Sequence, residues 1–198
     1  MNLSSLNQSF LKKARTATYF ISTVLLALTL VLSFKNGSLD GFALANYAGF
    51  LTFTFLCLAL AVTPFRIVFP SFPLNPSFYL ARRSLGVSAF GFALVHFASL
   101  FVFVFESSLE KFFPAVQASG FGIPTGTVSL FFLFVLALTS TDFAVKKLGK
   151  NWFSLHKLAY LAYPLIVLHV VLIGIDFQKV NAYSGAFFVV AVFTLALE

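Results

Sequence analysis

Charge and cysteine are the scarce commodities of this 198-residue chain. Only 10% of its residues are charged and only six are acidic, while 60% are hydrophobic. That balance excludes a soluble domain of this size and points to a polytopic helical membrane protein. A single cysteine, Cys57, excludes an intrachain disulfide and any multi-cysteine zinc or iron–sulfur site. The sequence has no C-x-x-C-H, so covalent c-type haem attachment is unsupported. It also has no G-x-G-x-x-G unit, so any flavin or nicotinamide chemistry must come from a separate donor. A net charge of +7 suggests nucleic acid in a soluble protein, but here the bilayer explains it, and no nucleic-acid partner is expected.

What is abundant is phenylalanine, 29 residues of it, read as lipid-facing and interhelical packing bulk. Six apolar segments are legible, at about 14–34, 41–62, 83–105, 125–145, 153–175 and 180–197, with ends good to about two to four residues. The expected fold is therefore all-α, a polytopic integral membrane bundle of six transmembrane helices forming one domain over 1–198. Lys35-Asn-Gly-Ser follows the first segment. Pro64, Pro70, Pro73 and Pro76 mark an irregular second connection. The first segment is too long, and its small-residue triplet too far downstream, for a cleaved signal peptide, so it is expected to remain as a span.

Ten of the thirteen Lys and Arg residues fall at the N-terminus and in the second and fourth connections, including Arg66, Arg82, Arg83, Lys146 and Lys147. The other side carries only Lys35, Lys111 and Lys179. By the positive-inside rule both termini face the cytoplasm.

Against this background the three histidines stand out. An imidazole in lipid is costly unless something binds it. His96 and His169 lie on the third and fifth segments, which run in the same direction. Each sits roughly 20–25 Å above the cytoplasmic boundary at 1.5 Å per residue. Two imidazoles at one depth on co-directional helices can clamp one iron from both sides, and in membranes that iron is most often haem. Each ring separately hydrogen-bonding a neighbouring helix is the alternative.

His156 lies 13 residues before His169, about 20 Å nearer the cytoplasm. It is a candidate for an inner haem or an interfacial residue beside Trp152 and Lys157. Pro164, between the two histidines, removes the hydrogen bond to the Tyr160 carbonyl and is a candidate kink. Arg82, 14 residues before His96 and on about the same face, can hold a haem propionate or snorkel to the inner surface. Arg83 points elsewhere and is read as a surface anchor.

These residues sit in recognisable blocks. Arg82-Arg-Ser-Leu-Gly-Val-Ser-Ala-Phe-Gly-Phe-Ala-Leu-Val-His96 resembles the third span of ferric-reductase-like transmembrane proteins. Leu138-Thr-Ser-Thr-Asp142, with Leu148-Gly-Lys-Asn-Trp152-Phe-Ser-Leu-His156 and then His169, resembles the fourth and fifth spans of the same family. The likeness covers about residues 45–175 and is nearest to the MsrQ subgroup, haem-binding membrane subunits of a bacterial system that repairs oxidised methionines in periplasmic proteins.

The resemblance implies b-type haem, one or two per chain, with His96, His169 and His156 as axial ligands and Arg82 at the inner site. It further implies electrons from membrane quinol or a cytoplasmic flavin reductase, with FMN or quinone as further ligands. The acceptor would be a periplasmic redox partner such as a molybdopterin sulfoxide reductase. One stretch departs from the subgroup. The basic-Pro-Tyr sequence usual before its fourth span is replaced by Ala118-Ser-Gly-Phe-Gly-Ile-Pro-Thr-Gly126. The chain then reads as a redox subunit rather than a stand-alone enzyme. A cell-surface ferric reductase, a quinol-oxidase-like anchor and a non-redox transporter are the rival readings.

Overall fold

The computed structural model describes residues 3–72 and 75–173. Helix α1 (Leu3–Leu32) leads into a two-residue β-hairpin, β1 (Phe34–Lys35) and β2 (Ser38–Leu39). Asn36 and Gly37 turn it with positive φ, 52° and 81°. Asp40 then caps α2 (Gly41–Val68), its carboxylate accepting from the Ala43 amide at 2.9 Å. Helix α3 (Asn75–Ser99) ends in a π-helical turn, Leu100–Val104. The short α4 (Leu109–Ala118) meets α5 (Gly122–Leu138) at 112°. Two one-to-two-turn helices, α6 (Asp142–Leu148) and α7 (Lys150–His156), precede α8 (Ala159–Ile173).

The protein is an all-α membrane protein, with that hairpin the one strand pair among the described residues. Among the described residues, four stretches are long and apolar enough to cross a bilayer: Lys12–Leu32, Gly41–Val68, Ser77–Val104 and Lys150–Ile173. The bent α4–α5 pair makes a fifth candidate. The sixth expected segment, 180–197, lies outside the described residues.

Three boundaries differ from the sequence reading. Helix α2 runs through Pro64 to Val68. The expected segment 125–145 stops at Leu138, where Thr139 and Ser140 turn their hydroxyls back onto helix carbonyls and a second helix starts at Asp142. The break in the histidine-bearing segment falls at Lys157–Leu158, and α8 continues through Pro164.

Helix α3 is central, packed on α1, α2 and α5, while α8 packs on α5. Apolar helices gain little hydrophobic drive from one another in lipid, so small residues that let backbones approach do the work. Ala45 and Ala48 on α2, Ala89 on α3 and Ala162 on α8 are each 0% exposed. Phenylalanine fills the rest. Phe55 meets Phe92 at 5.1 Å inside the bundle, whereas Phe20, Phe50 and Phe131 point outward. Ser22 joins α1 to α3 through Ser88 at 2.7 Å.

Candidate functional site

The site begins with the ends of two helix pairs. The last turns of α3 lie against the first turns of α2, because His96 Nδ1 is 2.8 Å from the Ala45 carbonyl oxygen. The last turns of α8 lie against the first turns of α5 in the same way, with His169 Nδ1 2.8 Å from the Gly122 carbonyl oxygen. A carbonyl only accepts, so Nδ1 is the protonated nitrogen in both rings and each Nε2 carries the lone pair. This fixes the tautomer that a metal ligand needs.

The rings of His96 and His169 come together with centroids 6.1 Å apart and planes at 89°. Both are half-buried. Metal–imidazole bonds run about 2 Å, so two imidazoles on opposite sides of one metal ion have ring centres about 6 Å apart. Among the described residues no cluster of three or more His, Cys, Asp or Glu forms. The pair therefore suits a centre whose remaining ligands come from a cofactor.

Two glycines that sequence reasoning passed over face these rings. A Cβ on Gly49 would meet His96 Nδ1 at 2.9 Å, and one on Gly126 would meet His169 Nδ1 at 2.5 Å and Cε1 at 2.7 Å. Each glycine sits one turn beyond the residue whose carbonyl accepts from the ring, in Ala45-x-x-x-Gly49 and Gly122-x-x-x-Gly126. That small-x-x-x-small spacing, at the start of both helices, was the available signal.

His156 lies apart from this pair, at the opposite end of the bundle. Its ring stacks on Trp152, with centroids 3.8 Å apart and planes at 28°, and its Nε2 is 3.3 Å from the Thr139 hydroxyl. The Trp152 indole N–H donates to the Thr139 carbonyl at 2.8 Å. Arg82 and Arg83 lie within Coulombic range of the His156 ring. Arg82 donates to Thr63 Oγ1 at 2.7 Å. Arg83 is ion-paired with Asp142 instead of snorkelling alone, and Arg15 reaches the same carboxylate at 3.5 Å. The Arg83 hydrogen bond and charge, with Arg15 behind them, hold the Asp142 carboxyl below the usual carboxylate range. Asp142 thus ties α1, α3 and the start of α6 together at the basic end of the bundle.

Fold and site define a polytopic helical membrane protein built around an internal pair of histidines. The chain belongs to the ferric reductase like transmembrane component family, whose pattern it matches over residues 48–167. It is similar to proteins named protein-methionine-sulfoxide reductase heme-binding subunit MsrQ. One from Brucella anthropi is 39% identical over 114 residues, covering 58% of this chain and 49% of the relative. One from Agrobacterium fabrum is 37% identical over 124 residues, covering 63% and 55%. The chain spans about half the length of the curated relatives it matches.

Proposed function

We propose that this chain is a haem b-binding electron-transfer subunit, with His96 and His169 as the axial ligands of one haem. The observation that carries the reading is the 6.1 Å ring separation, combined with Nδ1 hydrogen bonds that leave both Nε2 lone pairs available. The relatives' printed names, as haem-binding subunits of a methionine-sulfoxide reductase, agree with it.

Bound haem supplies a one-electron iron couple, and two nitrogen ligands suit electron transfer rather than oxygen binding. The chain's own residues do the rest. The Ala45 and Gly122 carbonyls fix the ligand tautomers. Helices α2, α3, α5 and α8 bring the two rings together. The basic end, with Arg82, Arg83 and Arg15, faces the cytoplasm by the positive-inside rule, which puts the histidine pair toward the periplasm.

In this reading the protein is a six-span inner-membrane subunit. Electrons enter from quinol or a flavin donor and leave to a periplasmic acceptor, a methionine-sulfoxide reductase catalytic subunit. A second haem at His156 has one supporting observation: Arg82 and Arg83 are near enough to act on the His156 ring, and their positive charge would be available to a haem propionate there.

A reduced-minus-oxidised spectrum with haem quantification tests both parts. The purified wild type should show a low-spin bis-imidazole haem, and His96→Ala and His169→Ala should each lose it. Retention of that spectrum in both variants overturns the pairing. One haem per chain, unchanged in number by His156→Ala, removes the second site.

A further inference from the structure

The two halves of the histidine site are built to one plan, and the plan gives a role to residues other than the histidines. On α2 a ring from α3 lies over Gly49 and donates to the carbonyl of Ala45, one turn back. On α5 a ring from α8 lies over Gly126 and donates to the carbonyl of Gly122, again one turn back. Residues four apart stack on one helix face, so the absent side chain lies directly above the accepting oxygen. Only a helix surface without a Cβ at that position lets an imidazole come close enough.

We infer that Gly49 and Gly126 are positioning residues that set the tilt of the His96 and His169 rings, and so the right-angled arrangement of the two ligand planes. This rests on the haem reading above. Each ring is held at one end by its own helix and at the other by the metal, so it cannot swing away freely from an added methyl group. The conflict is graded. A Cβ at position 49 touches its ring at 2.9 Å, a distance that small adjustments relieve in part. A Cβ at position 126 has two ring atoms within 2.7 Å, and the ring must move. Moving it breaks the Nδ1–H···O=C bond, and such bonds on the far nitrogen of a metal-binding imidazole raise its basicity and fix its orientation. A less electron-rich imidazole stabilises ferric iron less, so the potential rises.

The experiment uses the haem-loaded full chain in detergent or nanodisc. Ferric EPR and a redox titration are recorded for wild type, Gly49→Ala, Gly126→Ala and the control Gly91→Ala. Position 91 is on α3 with His96, and a Cβ there meets nothing within 4 Å. Perpendicular imidazole planes give the wild type a strongly anisotropic low-spin signal dominated by one large g value. Gly126→Ala should replace it with a more rhombic signal, raise the midpoint potential and weaken haem retention about 10–100-fold. Gly49→Ala should move in the same direction by less, and Gly91→Ala should match wild type.

Wild-type EPR and potential in haem-loaded Gly49→Ala and Gly126→Ala overturn the inference while leaving the histidine pairing intact. Absence of any bis-imidazole signal from the wild type sinks the haem reading itself. Should Gly126→Ala fail to accumulate, Gly49→Ala, the milder change, decides.

Discussion

Trp152 lies flat on His156, ring centroids 3.8 Å apart, while its indole N–H is bound to the carbonyl of Thr139. The start of α7 is thereby pinned to the end of α5. Trp152 is also the only tryptophan in the chain, so its fluorescence reports on this end of the bundle alone. His156→Ala should shift its emission to the red as water or lipid headgroups replace the ring, and His96→Ala should leave it in place. Trp152→Phe keeps the stacking and removes one hydrogen bond, an expected loss of about 1 kcal/mol in unfolding experiments.

Asp142 is the carboxylate shared by Arg83 and Arg15. Because the folded state lowers its pKa, the deprotonated form favours folding. The stabilisation is present in full above the ordinary carboxylate value of 3.8 and fades as pH falls through the lower folded value. Asp142→Asn should flatten that acid-side loss. At neutral pH it should cost no more than about 1 kcal/mol, since the carboxylate is largely exposed, and less in high salt. A pH series of thermal melts of both proteins measures it.

Arg82 is half-buried and donates to Thr63. Thr63→Val removes the acceptor and leaves a charged donor short of a partner, at about 1–3 kcal/mol, whereas Thr63→Ser should be close to neutral. Chemical denaturation and haem content together separate the structural cost from any effect on the inner site.

Ser22 and Ser88 share a hydrogen bond across α1 and α3. Ser22 is also 2.8 Å from the Thr18 carbonyl, so with one hydroxyl proton it donates there and accepts from Ser88. Ser88→Ala should cost about 0.6 kcal/mol, the average for such bonds in membranes. Unfolding by added denaturing detergent is the measurement.

The helical membrane fold was legible because lipid permits few alternatives and apolar runs count out the spans. The histidines stood out for the same reason: a polar ring among leucine and phenylalanine is conspicuous. Their depth followed from the rise per residue, and the 6.1 Å approach of the two rings agrees with it. What stayed hidden depends on partners distant in sequence. Nothing local marks Thr63 as the acceptor for Arg82, or Asp142 as the tie between Arg83 and Arg15. Gly49 and Gly126 read as ordinary membrane-helix glycines until a ring is seen lying over each. The end of α5 at Leu138 is hard to see because apolar residues resume at Phe143-Ala-Val145 after only four polar positions, while Thr139 and Ser140 stop the helix with their own hydroxyls.

The π-helical turn on α3 occupies Leu100–Val104, after His96 and not before it. An extra residue wound into a helix rotates everything beyond it by about 100°. Its placement leaves the path from Arg82 to His96 a regular helix of about 21 Å. An insertion or deletion between those two residues would aim the imidazole at a different neighbour. The same change beyond Val104 would be absorbed by the turn leading to α4. Lineages related to this chain should accordingly vary in length past position 104 and keep the Arg82–His96 interval constant.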